Sequence, residues 1–237
     1  MKIIVLVKQT PDTEAKVVTS PDGKMLDHSG TKFIINPYDE YAIEEALKIK
    51  AQASGSEVVL MTFAEPAVKE RILKGLAMGA DRAVIINNEG LEGCDSLVCA
   101  KVLSKAIEAE GCDIVFTGKQ GIDADNMHTP VMLAELLGWP HVNVVTKVEL
   151  SEGTAKVDRE VEGGQVESYS VQLPAVFGAH KSLNNPRYAS LPGIMKAKKK
   201  PVDLKTPADI GMNPDELMGL NHTSVESYSP PPKRVGR

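Results

Sequence analysis

Apolar residues fill every position from Ile3 to Val7. A run without polar alternation is the composition of a strand covered on both faces, as in a parallel sheet. Asn36-Pro37-Tyr38-Asp39 is a helix-start signal, and Ala42, Ile43, Ala46, Leu47 and Ile49 then recur at helical spacing up to a stop at Gly55. Glu57 to Phe63 is a second apolar strand, followed by a turn at Ala64-Glu65-Pro66 and a helix through Val68, Ile72, Leu73 and Leu76. Ala83 to Ile86 is a third strand, and Asp95-Ser96 opens a helix through Leu97, Val98, Val102, Leu103 and Ile107. Cys112 to Phe116 is a fourth strand, and from Thr129 the residues Val131, Met132, Leu136 and Leu137 mark a helix closed by Gly138. This alternation predicts an α/β fold: a largely parallel open sheet flanked by helices, Rossmann-like in type.

Beyond Trp139-Pro140 the period changes to two. Val142 to Leu150, Ala155 to Val161 and Glu167 to Phe177 are predicted as antiparallel strands joined at Ser151-Glu152-Gly153 and Glu162-Gly163-Gly164. Near the N-terminus, Lys16 to Thr19 and Lys24 to Ile35 read as a small excursion around Pro21-Asp22-Gly23, after Gln9-Thr10-Pro11-Asp12 ends the first strand. After Ala179 strong periodicity is lost, Pro186, Pro192, Pro201, Pro207 and Pro214 interrupt the chain, and Ser229-Pro230-Pro231-Pro232 predicts an extended tail. The expected organisation is an α/β nucleotide-binding domain over 1–180, a recognition loop and short basic helix over 181–200, and an extended arm over 201–237. A long segment without a periodic core of its own is expected to wrap another subunit.

The chemistry concentrates where the fourth strand meets its helix, in TGKQGIDADNMHTP from Thr117 to Pro130. Gly118 and Gly121 punctuate the loop, and Asp123, Asp125 and Asn126 have side chains short enough to cap N–H groups where a helix begins. A strand, a polar glycine loop and a helix N-terminus can hold a phosphate, because free N–H groups and the helix dipole point at the anion. Lys119, Gln120, Asp123, Asp125, Asn126, His128 and Thr129 make this loop denser in hydrogen-bonding side chains than a plain βα connection requires. Asp123 and Asp125 are better suited to bracing the loop than to binding a metal, and no metal site is predicted. His128 is read either as a phosphate or ribose contact or as a solvated cap.

Charge and composition narrow the class. The 237-residue chain carries a net charge of −5, which argues against nucleic acid as a partner. Its three cysteines, Cys94, Cys99 and Cys112, form no CxxC pair and are expected to be reduced and partly buried. There is no signal-peptide pattern and no apolar run of membrane-spanning length, so a soluble, cytoplasmic protein without membrane insertion is expected. No GxGxxG follows the first strand, and no P-loop, GxSxG elbow, HExxH or EF-hand loop is present. A protein that binds a nucleotide without catalytic residues to transform it is the simplest reading.

Three blocks resemble the β subunit of electron transfer flavoprotein (the FixA family), over nearly the whole chain. They are GKQ-x-IDxD at Gly118 to Asp125 with LLGWP at Leu136 to Pro140, V-x-R-x-x-[DE]-G-G at Val157 to Gly164, and LNxPRYAxLPxIMKAKKK from Leu183 to Lys200. Asn36-Pro37-Tyr38 and the stretch from Leu76 to Arg82 fit as well. The resemblance implies a heterodimer whose α subunit holds a redox-active FAD, while the β subunit buries a structural AMP. The AMP contacts it implies are Leu6, Asn36, Pro37, Tyr38, Asp39 and Ala64, with Gly118, Lys119, Gln120, Gly121, Ile122, Asp123, Ala124, Asp125, Asn126, Met127, His128 and Thr129. Tyr38 would also approach the partner's flavin. Leu191 would anchor into flavoprotein dehydrogenases such as acyl-CoA dehydrogenases, as in fatty acid oxidation, together with Arg187, Tyr188, Pro192, Ile194, Met195 and Lys196. Electrons would then leave to an electron transfer flavoprotein–quinone oxidoreductase or another acceptor.

The chain departs from the family pattern at Ala124 and at Met127-His128-Thr129-Pro130, where an Asn-Gln-Thr-Gly run is usual. A small residue at the Ala124 position is similar to the electron-bifurcating branch, which has NADH as donor and a second FAD in place of AMP. Thr129, Met132 and Gly138-Trp139-Pro140 resemble the ordinary branch. The chain stops soon after Pro232-Lys233-Arg234, where many members continue, which weakens the expected grip of its tail on the α subunit. Lys196, Lys198, Lys199 and Lys200 can be a solvated face or can steer acidic clients. Arg187 and Tyr188 can brace their loop, and Met25, Met61, Met78 and Met132 are expected to pack. A homodimeric, ATP-binding module of stress-protein type shares the strand–loop–helix logic but does not account for Leu183 to Lys200.

Overall fold

Ile3 and Val5 of the first strand face one apolar layer and Ile4 and Leu6 face another, and all four are buried. That division is why the strand needs no polar face. The computed structural model describes residues 1–16, 18–24, 26–224 and 226–228. In chain order the elements are β1 (Lys2–Leu6), β2 (Gln9–Pro11), β3 (Phe33–Ile35), α1 (Pro37–Gln52), β4 (Glu57–Phe63), α2 (Lys69–Met78), β5 (Arg82–Ile86), α3 (Ser96–Glu110), β6 (Ile114–Gly118), α4 (His128–Leu137), β7 (His141–Ser151), β8 (Thr154–Val161), β9 (Gln165–Gln172), β10 (Ala175–Ala179), α5 (Leu191–Ala197), β11 (Val202–Lys205) and α6 (Pro214–Met218).

The main sheet runs β11-β5-β4-β1-β6-β10-β7-β8-β9. From β11 to β7 every pairing is parallel, and β7, β8 and β9 continue as an antiparallel meander. One face is covered by α1, α2 and Ala197 of α5, with Ile43, Leu47, Ile72 and Leu76 against Ile3 and Val5. The other is covered by α3, α4 and Leu217 of α6, with Val98, Val102 and Leu133 against Ile4 and Leu6. Each such fully buried side chain contributes roughly 1.5–3 kcal/mol relative to exposure.

Three sequence expectations change. The predicted strand Glu167 to Phe177 is two strands. Pro174, which has no N–H to donate to a ladder, separates β9 from β10. β10 leaves the meander and inserts, parallel and fully buried, between β6 and β7. Gln9 to Pro11 does not simply end β1; it pairs with Phe33 to Ile35 as the neck of the excursion, whose tip is an isolated Thr19–Leu26 bridge. Beyond Ala179, where a short helix is expected within 181–200, the chain forms three short elements, of which β11 and α6 carry no periodic signal. α5 packs on α2, β11 extends the sheet beside β5, and Leu217 of α6 fills the second apolar layer. The Ser229 to Pro232 tail, Lys233, Arg234 and Met25 lie outside the described residues. Among those described, no helix is long and apolar enough to cross a membrane.

Candidate functional site

The chain leaves β1 toward β4 on one side and later places β6 on the other. The carboxyl ends of β1 and β6 therefore diverge into two crossovers and open a crevice, the position where doubly wound sheets bind ligands. A cleft of about 410 Å³ lies there, walled by the ends of β1, β4 and β6 and by the starts of α3 and α4.

Two side chains at the start of α1 organise it. Asp39 is buried; its Oδ2 accepts from the Lys8 backbone N–H at 2.7 Å, and its Oδ1 accepts from Gly118 N–H at 3.1 Å and Asn36 Nδ2 at 2.7 Å. Asn36 Nδ2 also donates to the Gln120 carbonyl at 2.9 Å, and Asn36 Oδ1 accepts from Ile122 N–H at 3.2 Å. Together they tie the loop after β1 to the loop after β6. Burial pushes the Asp39 carboxyl up to about 7, against the N–H donors that favour its anion. Gly118 is required by this closeness: a Cβ there would stand 2.4 Å from Asp39 Oδ1 and 2.6 Å from Tyr38 Cβ. Lys8 Nζ pairs with Asp123 at 2.7 Å, and Gln120 Nε2 donates to Asp125 Oδ1, so both aspartates brace the loop. Neither caps a helix N–H, contrary to expectation; Asn126 Oδ1 alone of the three takes one, from His128 N–H at 3.3 Å.

The two helices opening on the cleft differ. Asp95 caps α3, its Oδ1 accepting from Leu97 and Val98 N–H at 3.1 and 3.0 Å. Met127, at the N-cap of α4, has left-handed backbone (φ 53°) and offers no capping oxygen. The first turn of α4 begins at the cleft wall formed by Met127, His128 and Thr129; His128 N–H is taken by Asn126 and Pro130 has no N–H, so Thr129 N–H is the donor there without an intrahelical acceptor. Met127 thus adopts a backbone conformation uncommon for a residue other than glycine, at the point where the loop becomes helix.

Of the expected contacts, Leu6, Asn36, Asp39, Ala64, Gly118, Gln120, Gly121, Ala124, Asn126, Met127, His128 and Thr129 line the cleft. Pro37, Tyr38, Lys119, Ile122, Asp123 and Asp125 do not. Ile122 and Asp123 instead wall a neighbouring cavity under the excursion, and Lys119 Nζ lies 5.2 Å over the Tyr38 ring. The cleft also includes Lys8, Asn88, Cys94, Asp95, Ser96 and Cys99, which sequence reasoning left out. The Asp95-Ser96 helix start and the position just after β1 carried that signal, because the switch-point rule places strand ends and helix starts at one mouth. Burial raises the Cys94 thiol to about 11 and those of Cys99 and Cys112 to about 12, leaving protonated, unreactive side chains. Among the described residues no three His, Cys, Asp or Glu side chains gather as a metal site.

Outside the cleft lining, beside α1 and α2, the expected docking residues form an exposed, largely apolar knob. Tyr188 is 98% exposed, Leu191 75% and Met195 65%, with Ile194, Pro192 and Lys196 also exposed. Arg187 is turned back onto the chain, its Nε 2.8 Å from Glu44 of α1.

Residues 24–210 match the family model described as the electron transfer flavoprotein domain. The chain is 42% identical to the electron transfer flavoprotein subunit beta of Bradyrhizobium diazoefficiens over 90% of its own length and 84% of that protein's. Identity is 40% to the same subunit of Bacillus subtilis (100% and 91% of the two chains) and 38% to that of Homo sapiens (99% and 91%). The chain belongs to the electron transfer flavoprotein β-subunit family. The blocks that carried the resemblance now have places: Gly118 to Asp125 shapes the cleft loop, Val157 to Gly164 forms β8 and its turn, and Leu183 to Lys200 forms the knob with α5. The stress-protein alternative does not account for this match.

Proposed function

We propose that the chain is one half of a heterodimeric electron transfer flavoprotein, paired with an α subunit that carries FAD. It holds AMP in the β1–β6 cleft and presents Leu191 to flavoprotein dehydrogenases such as acyl-CoA dehydrogenases. Electrons then pass on to a quinone oxidoreductase or another acceptor. FAD, when bound in the partner, supplies the redox chemistry; this chain binds, orients and docks. The residues present fit a nucleotide: the start of α4, where Met127 makes no side-chain cap, suits a phosphate, and the volume falls within the roughly 300–1,000 Å³ usual for small-ligand clefts.

The exposed Leu191 carries the docking half of this reading. A large apolar side chain at 75% exposure, beside others of its kind, is what an interface anchor looks like before its partner arrives. Leu191→Ala in the heterodimer is expected to slow second-order reduction by a reduced acyl-CoA dehydrogenase about tenfold or more, as for a central hot-spot residue, with nucleotide content unchanged. Unaltered reduction kinetics would remove the docking role.

Ala124 supports a second reading. It lines the cleft, and a small residue at this position resembles the branch of the family that holds FAD instead of AMP in a bifurcating, NADH-linked complex. A second flavin per heterodimer would establish it.

A further inference from the structure

The knob belongs to no strand, yet its backbone is fastened to the body on both sides. Ahead of it, Glu44 accepts three bonds from Arg187: from the backbone N–H at 3.0 Å, from Nε at 2.8 Å and from Nη2 at 2.8 Å. The adjacent Glu45 accepts from Asn184 Nδ2 at 2.9 Å and from Lys48 Nζ at 2.9 Å, and Asn184 also donates to the Tyr41 carbonyl at 3.0 Å. Behind it, Gly193 sits so close to the end of α2 that a Cβ would stand 2.5 Å from the Ala77 carbonyl oxygen. Lys200 Nζ donates to the Leu76 carbonyl at 2.9 Å and to the Ala80 carbonyl.

Glu44 and Glu45 are consecutive and only 6% and 4% exposed. Burying two neighbouring carboxylates in a helix is unfavourable, and a buried ion pair seldom adds net stability over apolar packing. What it supplies is direction. The planar guanidinium fork accepts one geometry against a carboxylate, and here the same carboxylate also fixes the Arg187 backbone, one residue before Tyr188.

We propose that Glu44 and Arg187 are positioning residues for client docking: their pair holds the Tyr188–Met195 segment in its docking conformation in the free protein. The proposal rests on the docking reading of Leu191. Affinity for a client would then depend on a helix residue that the client does not touch, because a segment ordered beforehand loses less freedom on binding.

The test uses the heterodimer carrying Arg187→Ala, Arg187→Lys, Glu44→Gln, Leu191→Ala, or Arg187→Ala with Leu191→Ala. Hydrogen exchange is measured on the knob, and the concentration dependence of reduction on an acyl-CoA dehydrogenase held reduced by its substrate. Arg187→Ala and Glu44→Gln should speed amide exchange over Tyr188 to Ile194, with β1 and β6 unchanged. They should raise the half-saturating concentration about tenfold while leaving the limiting rate alone, as expected for lost preorganisation. Arg187→Lys should recover part of the loss. In the Leu191→Ala background the arginine change should add less than about twofold, because both act on one contact. Unchanged exchange in Arg187→Ala overturns the proposal. So does an unchanged half-saturation when Leu191→Ala raises it. If Leu191→Ala itself changes nothing, the docking reading fails and the proposal with it.

Discussion

Gly118→Ala is the sharpest perturbation of the cleft that the structure offers. The added Cβ would meet Asp39 Oδ1 at 2.4 Å, Tyr38 Cβ at 2.6 Å and the Tyr38 carbonyl carbon at 2.9 Å. Ordinary carbon contacts need about 3.5–4.0 Å, so the start of α1 and the end of β6 must separate by about an ångström. No rotamer relieves this, because Tyr38 Cβ and its carbonyl carbon move only with the helix. Overpacking of this kind costs about 1–3 kcal/mol. Separation also stretches the 3.1 Å bond from Gly118 N–H to Asp39, and an orphaned buried group adds about 1–3 kcal/mol. The expected loss is therefore about 2–6 kcal/mol. The assay is urea unfolding of the heterodimer with quantitation of retained nucleotide, and both stability and nucleotide content should fall. A stability change below about 0.5 kcal/mol, the range of neutral surface changes, with full nucleotide content would refute the packing argument.

Two further changes test neighbouring parts. Because burial holds the Asp39 pKa at about 7, above its unfolded value, its contribution to stability is complete below about pH 4 and is lost as pH rises through about 7. A pH series of unfolding should show this decline in the wild type and a flatter profile in Asp39→Asn; parallel profiles would deny the shift. Leu217→Ala should cost about 2–5 kcal/mol by denaturation, since Leu217 is buried in the layer over Ile4 and Leu6. A neutral result would mean that α6 contributes little to the body.

The parallel half of the fold was legible because buried strands and one-sided helices leave long, regular runs, as from Ile3 to Val7 and from Ala42 to Ile49. β10 was not, because AVFGA reads equally well as the end of a hairpin strand or as a central one. Only the neighbours of Ala175 to Ala179 distinguish the two, and these are remote in sequence. β11 and α6 were invisible because each is anchored by too few residues, such as Leu217, to create a period. In the cleft, the loop from Gly118 to Thr129 announced itself by composition. The roles within it did not: Asp123 and Asp125 have the chemistry of helix caps, but Lys8 and Gln120 reach them first. Glu44 carried no signal of its own, since a glutamate in a helix ordinarily faces water.

The central claim is that the β1–β6 cleft of this chain holds AMP beside a flavin carried by an α subunit. The direct measurement is to co-purify the two chains, denature the complex and quantify the released nucleotides by chromatography. One FAD and one AMP per heterodimer is the predicted result. Two FAD and no AMP would assign the cleft to a second flavin, and one FAD with no other nucleotide would contradict a nucleotide role for the cleft altogether.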